Sequence, residues 1–317
     1  MGALQIVILD GFTLNPGDLS YDALTEFGRL SVYDRTPEEE TARRLLGADI
    51  VFTNKTPLRE EHFVRANRLK YIGVLATGYD VVDTAARARG IAVCNVPDYG
   101  TDAVAEHVFA LILEIARGAG RHDRAVHQGR WTHSPDYCFW ETPLFALSGK
   151  TLGVLGCGRI GRRVSEIGRA FGMRVLGCSP HERAGFAGEY VDFPALLAES
   201  DILTLHCPAT DATRGIMNRD TFRRMKDGAI LINTARGALV DEQDLFEALE
   251  SRKLFAAGVD VVSREPVSAA NPLLKAPNCI ITPHNAWATY GARKRLIEIS
   301  VENLRSFLGG NPANLVN

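Results

Sequence analysis

Short apolar runs bounded by turn residues alternate with amphipathic stretches almost from the start of the chain. QIVILD, DIVFT, KYIGVL and IAVCNV read as strands, and the stretches between them carry the spacing of surface helices. Such alternation predicts a parallel sheet covered by helices. PEEETARRLLG has the marks of a crossover helix, with Thr36 as N-cap, Pro37 at the first position, glutamates in the first turn and Gly47 as the stop. The pattern is then interrupted by a long helical stretch, Thr101 to about Gln128, and an irregular segment rich in Trp, Pro and His, Gly129 to about Leu147. It resumes with TLGVLG, RVLGC, DILTLHC, GAILINTA, AAGVDVV and CIITPH. Six strands are what a complete dinucleotide-binding sheet needs, whereas the first block has about five and no glycine fingerprint, so the blocks are read as different domains. A last helical stretch, about Ala288 to Leu308, has no further strand to reach and is expected to return to the first domain. The chain then crosses near Pro97 to Thr101 and again near Ala286 to Thr289. The expected domains are 1–98 with 290–317, and 99–289, and two crossings suit a hinge over a cleft.

Length and composition narrow the function classes. A chain of 317 residues fits two domains. With 46% hydrophobic and 23% charged residues, disorder, collagen-like repeats and disulfide scaffolds are disfavoured. Lys and Arg number 36 against 38 Asp and Glu, and neither sign forms a block, so neither nucleic acid nor an anionic membrane is expected as a partner. The longest clean apolar run, Val108 to Leu113, is far short of the roughly 18 residues that suggest a bilayer span. MGALQIVILD lacks a basic leader and NLVN matches no retention or peroxisomal address, which makes the cytoplasm the expected location. Six scattered cysteines without a Cys-x-x-Cys pair are expected to be reduced and mostly buried.

The first chemistry-bearing motif is TLGVLGCGRIG, which places Gly156, Gly158 and Gly161 in G-x-G-x-x-G spacing after a strand and before an amphipathic helix. Gly156 allows the tight turn, Gly158 lets backbone approach a pyrophosphate, and Gly161 packs helix on strand. The phosphate would rest on the helix N-terminus, with Arg159 available to add charge. The strand RVLGC should end in an Asp or Glu that takes the ribose 2′-hydroxyl of NAD, but Cys178, Ser179 and Pro180 stand there. Without that acid nothing repels a 2′-phosphate, and Ser179, His181 and Arg183 could contact one. Alternatively Ser179 alone serves the hydroxyl, and Arg183 is a solvated charge offset by Glu182. NAD and NADP both remain open.

Three polar residues stand at or beyond the ends of later strands, where open α/β sheets place ligands: Arg236 after GAILINTA, Glu265 beyond AAGVDVV and His284 after CIITP. Reduction of a 2-keto acid needs a cation for the carboxylate or carbonyl, an acid to protonate the new alkoxide, and a group that tunes that acid. Arg236 has the planar fork for the first task. His284 suits the second, and a carboxylate at Glu265 would orient its ring and favour its protonated form. The remaining histidines include His62, His122, His127 and His181, whose polar surroundings suggest surface positions. No His or Cys spacing fits a metal site, no G-x-S-x-G elbow occurs, and Cys207 has no adjacent base, so metal and covalent catalysis are unsupported.

LGVLGCGRIG, DILTLHCPAT, MKDGAILINTARGALVDEQDL, AAGVDVV and TPHNA together resemble the D-isomer-specific 2-hydroxyacid dehydrogenases, over about residues 4 to 316. NKTPL, VLATGYDVVD, NVPDYGTDAVAEHVFAL and PDYCFWE look most like the glycerate dehydrogenase, or hydroxypyruvate reductase, branch. The resemblance implies Arg236 as substrate-binding and catalytic, Glu265 as partner of the histidine, and His284 as proton donor. It further implies that the amides of Thr77 and Gly78 hold the substrate carboxylate, with Asn54 and Lys55 nearby. On the cofactor side it implies contacts from Thr101, Arg159, Ile160, Cys207, Pro208, Thr234 and Ala235, and from Asp260 to the nicotinamide carboxamide.

Two residues depart from the family pattern: Ser179 replaces the usual Asp of NAD-using members, and Trp287 stands where many members have a small residue. Trp287 narrows the pocket if it points inward or simply packs at the surface, and Trp140 poses the same question. In this family the segment from Gly129 to Leu147 commonly reaches across a two-fold dimer, so Trp131, Tyr137, Phe139 and Trp140 form either an interface or a packed intrachain loop; a homodimer is expected. The expected fold is α/β, with two doubly wound parallel-sheet domains, a flavodoxin-like substrate domain and a Rossmann dinucleotide-binding domain, and the active site in the cleft between them. The expected activity is NAD(P)-dependent reduction of a small 2-keto acid such as hydroxypyruvate or glyoxylate, and its reverse. The alternatives are a dinucleotide-sensing, corepressor-like binding protein, or a sister dehydrogenase of formate or phosphite, the formate branch fitting Glu265 with His284 less well.

Overall fold

Elements of a computed structural model, which describes residues 3–317, follow the chain in order. The first stretch contains β1 (Leu4–Ile8), β2 (Gly28–Val32), α1 (Glu38–Leu45), β3 (Ile50–Thr53), α2 (Glu60–Arg65), β4 (Tyr71–Val74), α3 (Ala85–Ala88) and β5 (Ala92–Cys94). Next come α4 (Thr101–Arg117), α5 (Ala119–His127), β6 (Thr151–Leu155), α6 (Arg159–Ala170), β7 (Arg174–Cys178) and β8 (Glu189–Tyr190). They are followed by α7 (Phe193–Glu199), β9 (Ile202–Leu205), α8 (Arg219–Arg224), β10 (Ala229–Asn233), α9 (Glu242–Glu250), β11 (Leu254–Val259) and β12 (Cys279–Ile281). The last helix is α10 (Tyr290–Leu308). The chain forms two compact units, Met1–Gly100 with Ala288–Asn317, and Thr101–Trp287.

The first unit is a five-stranded parallel sheet in the order β2-β1-β3-β4-β5, the flavodoxin-like order. β3 and β4 are buried at every position, as strands with helices on both faces must be. α10 returns to this sheet and buries Leu296, Ile297, Val301 and Leu304. Its Arg293 donates to both carboxylate oxygens of Asp18 (2.7 and 2.6 Å) and to the Leu14 carbonyl (3.0 Å). Beyond the helix, Val316 donates its amide to the Val93 carbonyl, and the Asn317 side chain bonds Val93 and Ile91, so the last residues seal β5.

The second unit is a seven-stranded parallel sheet, β12-β11-β10-β9-β6-β7-β8, which is the Rossmann order with one strand added beyond the sixth. Successive strand residues enter opposite cores. Leu152, Val154, Ile202, Ile230 and Ile232 join the α4 and α6 side, while Leu155, Leu203, Leu205 and Leu231 join the other. Each fully buried Leu, Ile or Val side chain contributes about 1.5–3 kcal/mol, so these strands supply much of the unit's stability.

Several expectations are corrected. Thr36 does not cap α1, because its hydroxyl donates instead to the Leu9 carbonyl and Pro37 takes the cap position. The stretch from Thr101 to Gln128 is two helices, broken at Gly118, whose φ of +57° lies in the left-handed region. The second sheet has seven strands rather than six, since two-residue β8 gives no periodic signal. β2 was not expected because GRLSV lies at an edge with three of its five residues exposed and carries no apolar run. His62 is buried rather than at the surface, its Nδ1 accepting the Arg59 amide (3.0 Å) at the start of α2. The six cysteines are all free, but only Cys94 and Cys157 are buried. Among the described residues no helix is long and apolar enough to cross a membrane.

Candidate active site

The dinucleotide fingerprint is built by three glycines with three different physical constraints. Gly156 sits at φ +98°, and a Cβ there would lie 2.6 Å from the Cys207 amide nitrogen. Its own amide donates to the Cys178 carbonyl (2.8 Å), tying the ends of β6 and β7 together. A Cβ on Gly161 would lie 2.1 Å from the Gly156 carbonyl oxygen, so helix and strand approach only because none is present. A Cβ on Gly158 would meet nothing, which leaves open space in front of α6. No side chain caps that helix, so its N-terminal amides and positive dipole end, at Arg159 and Ile160, face the space.

Beyond β10, the buried Asn233 side chain folds the next three residues. It accepts from the Ala235 amide (3.1 Å) and donates to the Arg236 carbonyl (2.9 Å). Within that turn the Thr234 hydroxyl is buried with no hydrogen-bond partner among the described residues. An orphaned buried hydroxyl costs roughly 1–3 kcal/mol, which a bound polar ligand would offset. With the open space at Gly158, this fits a dinucleotide across the ends of the strands. Arg236 itself is half-buried, its guanidinium donating to the Ala235 carbonyl (2.7 Å). Pro208 accepts the Thr213 hydroxyl through its carbonyl (2.6 Å), fixing the Cys207–Pro208 turn after β9, and burial raises the Cys207 thiol above its ordinary range.

His284 and Glu265, nineteen residues apart, are brought together. His284 Nδ1 lies 2.6 Å from Glu265 Oε2, with the two side chains 27% and 35% exposed. His284 has φ +53°, a left-handed conformation that costs a residue with a Cβ about 1–3 kcal/mol and persists only where its surroundings impose it. Asp260, only 1% exposed, does so. Its carbonyl accepts the His284 amide (2.8 Å), and its carboxylate accepts the amides of Asn285 (3.0 Å) and Ala286 (3.0 Å) and the Thr282 hydroxyl (2.6 Å). The Trp287 indole donates to the His284 carbonyl (2.9 Å), so Trp287 braces the same turn.

Beyond β7, Ser179 is half-buried, and Pro180, His181, Glu182 and Arg183 are exposed. The loop's backbone is held, with the Arg183 amide donating to the Tyr190 hydroxyl (2.8 Å) and Arg162 to the Ala184 carbonyl (2.8 Å).

In the first unit, Asp10 accepts the amides of Asn54 (2.8 Å), Lys55 (2.5 Å) and Thr56 (2.8 Å). Buried Asn54 donates to the Leu75 carbonyl (2.7 Å). The Thr77 hydroxyl donates to Val96 (2.9 Å) and the Thr77 carbonyl accepts the Asn95 side chain (2.7 Å), which holds the turn at Thr77 and Gly78. Asp10, Asn95, Asn233 and Thr282 were not singled out from sequence. Asp10, Asn95 and Asn233 act by bonding backbone and Thr282 by bonding the Asp260 carboxylate, roles with no spacing signature.

Residues 109–286 match the family described as D-isomer specific 2-hydroxyacid dehydrogenase, NAD binding domain. A hydroxypyruvate reductase of Blautia hydrogenotrophica is 48% identical over 321 residues, covering 99% of this chain and 100% of that protein. The chain belongs to the D-isomer specific 2-hydroxyacid dehydrogenase family. A glycerate dehydrogenase of Methylorubrum extorquens is 40% identical over 284 residues, 89% of each chain. An NADPH-dependent glyoxylate/hydroxypyruvate reductase of Sinorhizobium meliloti, solved with NADP and malonate, superposes with a TM-score of 0.86 at 27% identity, covering 99% of this chain and 97% of that one. The protein is accordingly an NAD(P)-dependent oxidoreductase of CH–OH donors, which stands over the corepressor-like and formate or phosphite readings.

Proposed function

We propose that the enzyme reduces a short 2-keto acid, hydroxypyruvate or glyoxylate, to the D-2-hydroxy acid, and catalyses the reverse, with His284 carrying the proton. The observation behind this reading is the 2.6 Å pairing of His284 Nδ1 with Glu265. A carboxylate only accepts, so the pair puts a proton on Nδ1 and leaves Nε2 as the nitrogen that exchanges one with the substrate oxygen. Arg236 is assigned to the substrate carbonyl and carboxylate. The amides of Thr77 and Gly78 are assigned to the carboxylate, with Asn54 and Lys55 beside them. Thr101, Gly156, Gly158, Arg159, Ile160, Gly161, Ser179, Cys207, Pro208, Thr234, Ala235 and Asp260 are assigned to the dinucleotide, which supplies the hydride when bound. NADPH is proposed as the preferred form, supported by the absence of a carboxylate at the end of β7 and by the exposed Arg183 in the loop that follows Ser179. A homodimer formed through the segment 129–147 is supported by the exposure of Trp131, Tyr137 and Trp140. Six free thiols fit a cytoplasmic setting.

Initial rates with hydroxypyruvate and with glyoxylate, each with NADH and NADPH, test the reading. His284→Ala should lower turnover by about 10² to 10⁴, the usual contribution of a general acid. Unchanged turnover would remove His284 from the mechanism, and a higher kcat/KM with NADH would overturn the NADPH assignment.

A further inference from the structure

The turn that carries His284 hangs on one carboxylate, and that carboxylate is itself held from α4. Leu111 packs its Cβ 3.1 Å from where a Gly258 side chain would begin, so α4 lies close on β11. One helical turn earlier on the same face stands His107, level with the end of β11. His107 Nε2 is 3.0 Å from the Thr282 hydroxyl and 3.6 Å from Asp260 Oδ1. Thr282 has a single proton and spends it on Asp260 at 2.6 Å. At the remaining position the hydroxyl can only accept, so His107 must present Nε2–H. The direction of every bond is thereby fixed, from His107 to Thr282 to Asp260, whose carboxylate also takes the amides of Asn285 and Ala286 while its carbonyl takes that of His284.

We infer that His107 is a positioning residue for the reaction: through Thr282 it locks Asp260 in the setting that holds the 284–286 turn, and with it the His284 ring, ready for proton transfer. The inference rests on the reading of His284 as proton carrier. His107 itself is assigned no contact with cofactor or substrate, so its effect is read on the chemical step, in kcat. Glutamine places an amide N–H near the position of imidazole Nε2, whereas leucine fills the space without a donor.

The test compares steady-state kcat and both KM values, for hydroxypyruvate and for the dinucleotide, in wild type, His107→Leu, His107→Gln, Thr282→Val, the His107→Leu/Thr282→Val double variant and His284→Ala. A small displacement of a catalytic group costs up to about 10²-fold, so His107→Leu and Thr282→Val should each lower kcat about tenfold or more with the hydroxypyruvate KM within about threefold. Since the two act in one chain, the double variant should be no slower than about twofold below either single one. His107→Gln should recover most of the lost kcat. Wild-type kcat in His107→Leu, a raised dinucleotide KM at unchanged kcat, or His107→Gln as slow as His107→Leu would each overturn the inference. Should His107→Leu fail to fold, the near-isosteric Thr282→Val and the Gln variant carry the test. Full turnover in His284→Ala would instead sink the reading of His284, and the inference with it.

Discussion

Gly158 and Gly161 stand three positions apart in one motif, yet a methyl group added at each meets opposite surroundings. At Gly161 it would strike the Gly156 carbonyl oxygen at 2.1 Å, and at Gly158 it meets nothing within 4 Å among the described residues. Gly161→Ala should therefore destabilise the fold by about 1–3 kcal/mol, as overpacking does, seen as a lower Tm. Gly158→Ala should melt like wild type while raising the dinucleotide KM, and a normal KM there would refute its closeness to the cofactor. Arg236→Lys should lower kcat/KM for the 2-keto acid by about 10²-fold, the scale of losing one preorganised donor, as measured by steady-state kinetics. At this scale the sequence singled out Arg236, Glu265 and His284 from their positions beyond strand ends, and the folded chain pairs the last two. The sequence was silent on Asp10, Asn233 and His107, which serve by completing hydrogen bonds that only the folded backbone creates.

The strands legible from sequence were those with an unbroken apolar run, the physical requirement of burial on both faces and one that edge strands β5 and β12 also meet. Edge strands β2 and β8 carry no such requirement and were not legible, and the break between α4 and α5 turned on the backbone of a single glycine. Junctions between elements are held by polar groups whose protonation matters. Asp201, at the start of β9, accepts the Thr151 amide of β6 (2.7 Å) and the Lys226 ammonium (3.1 Å). Burial pushes its carboxyl up, but those two partners outweigh it and hold it below the ordinary value of 3.8. A carboxylate lowered in the folded state adds stability above its unfolded value, and that stability is lost as pH falls through the folded one. Asp201→Asn should thus lower Tm at pH 7 and shrink the loss of Tm between pH 6 and pH 3. A pH dependence identical to wild type would show that Asp201 carries none of it.

At the scale of the molecule, the two sheets share a construction rule but differ in what their ends carry. Association is the property most exposed to test. Tyr137 is 89% exposed and Trp131 and Trp140 more than half, an unusual concentration of aromatic surface. Sedimentation velocity should give the mass of two chains for wild type and of one for Trp131→Asp/Tyr137→Asp at micromolar concentration; a monomeric wild type would reject the dimer. The discontinuity of the first unit has a different consequence, in time rather than space. Its sheet begins within the first hundred residues, but α10, Val316 and Asn317, which cover it and seal β5, are translated only after the whole of the second unit. On a ribosome the second unit, being uninterrupted, can close as soon as it emerges. The earlier-made half-domain must wait with one flank of its sheet uncovered, so the order of folding runs against the order of synthesis.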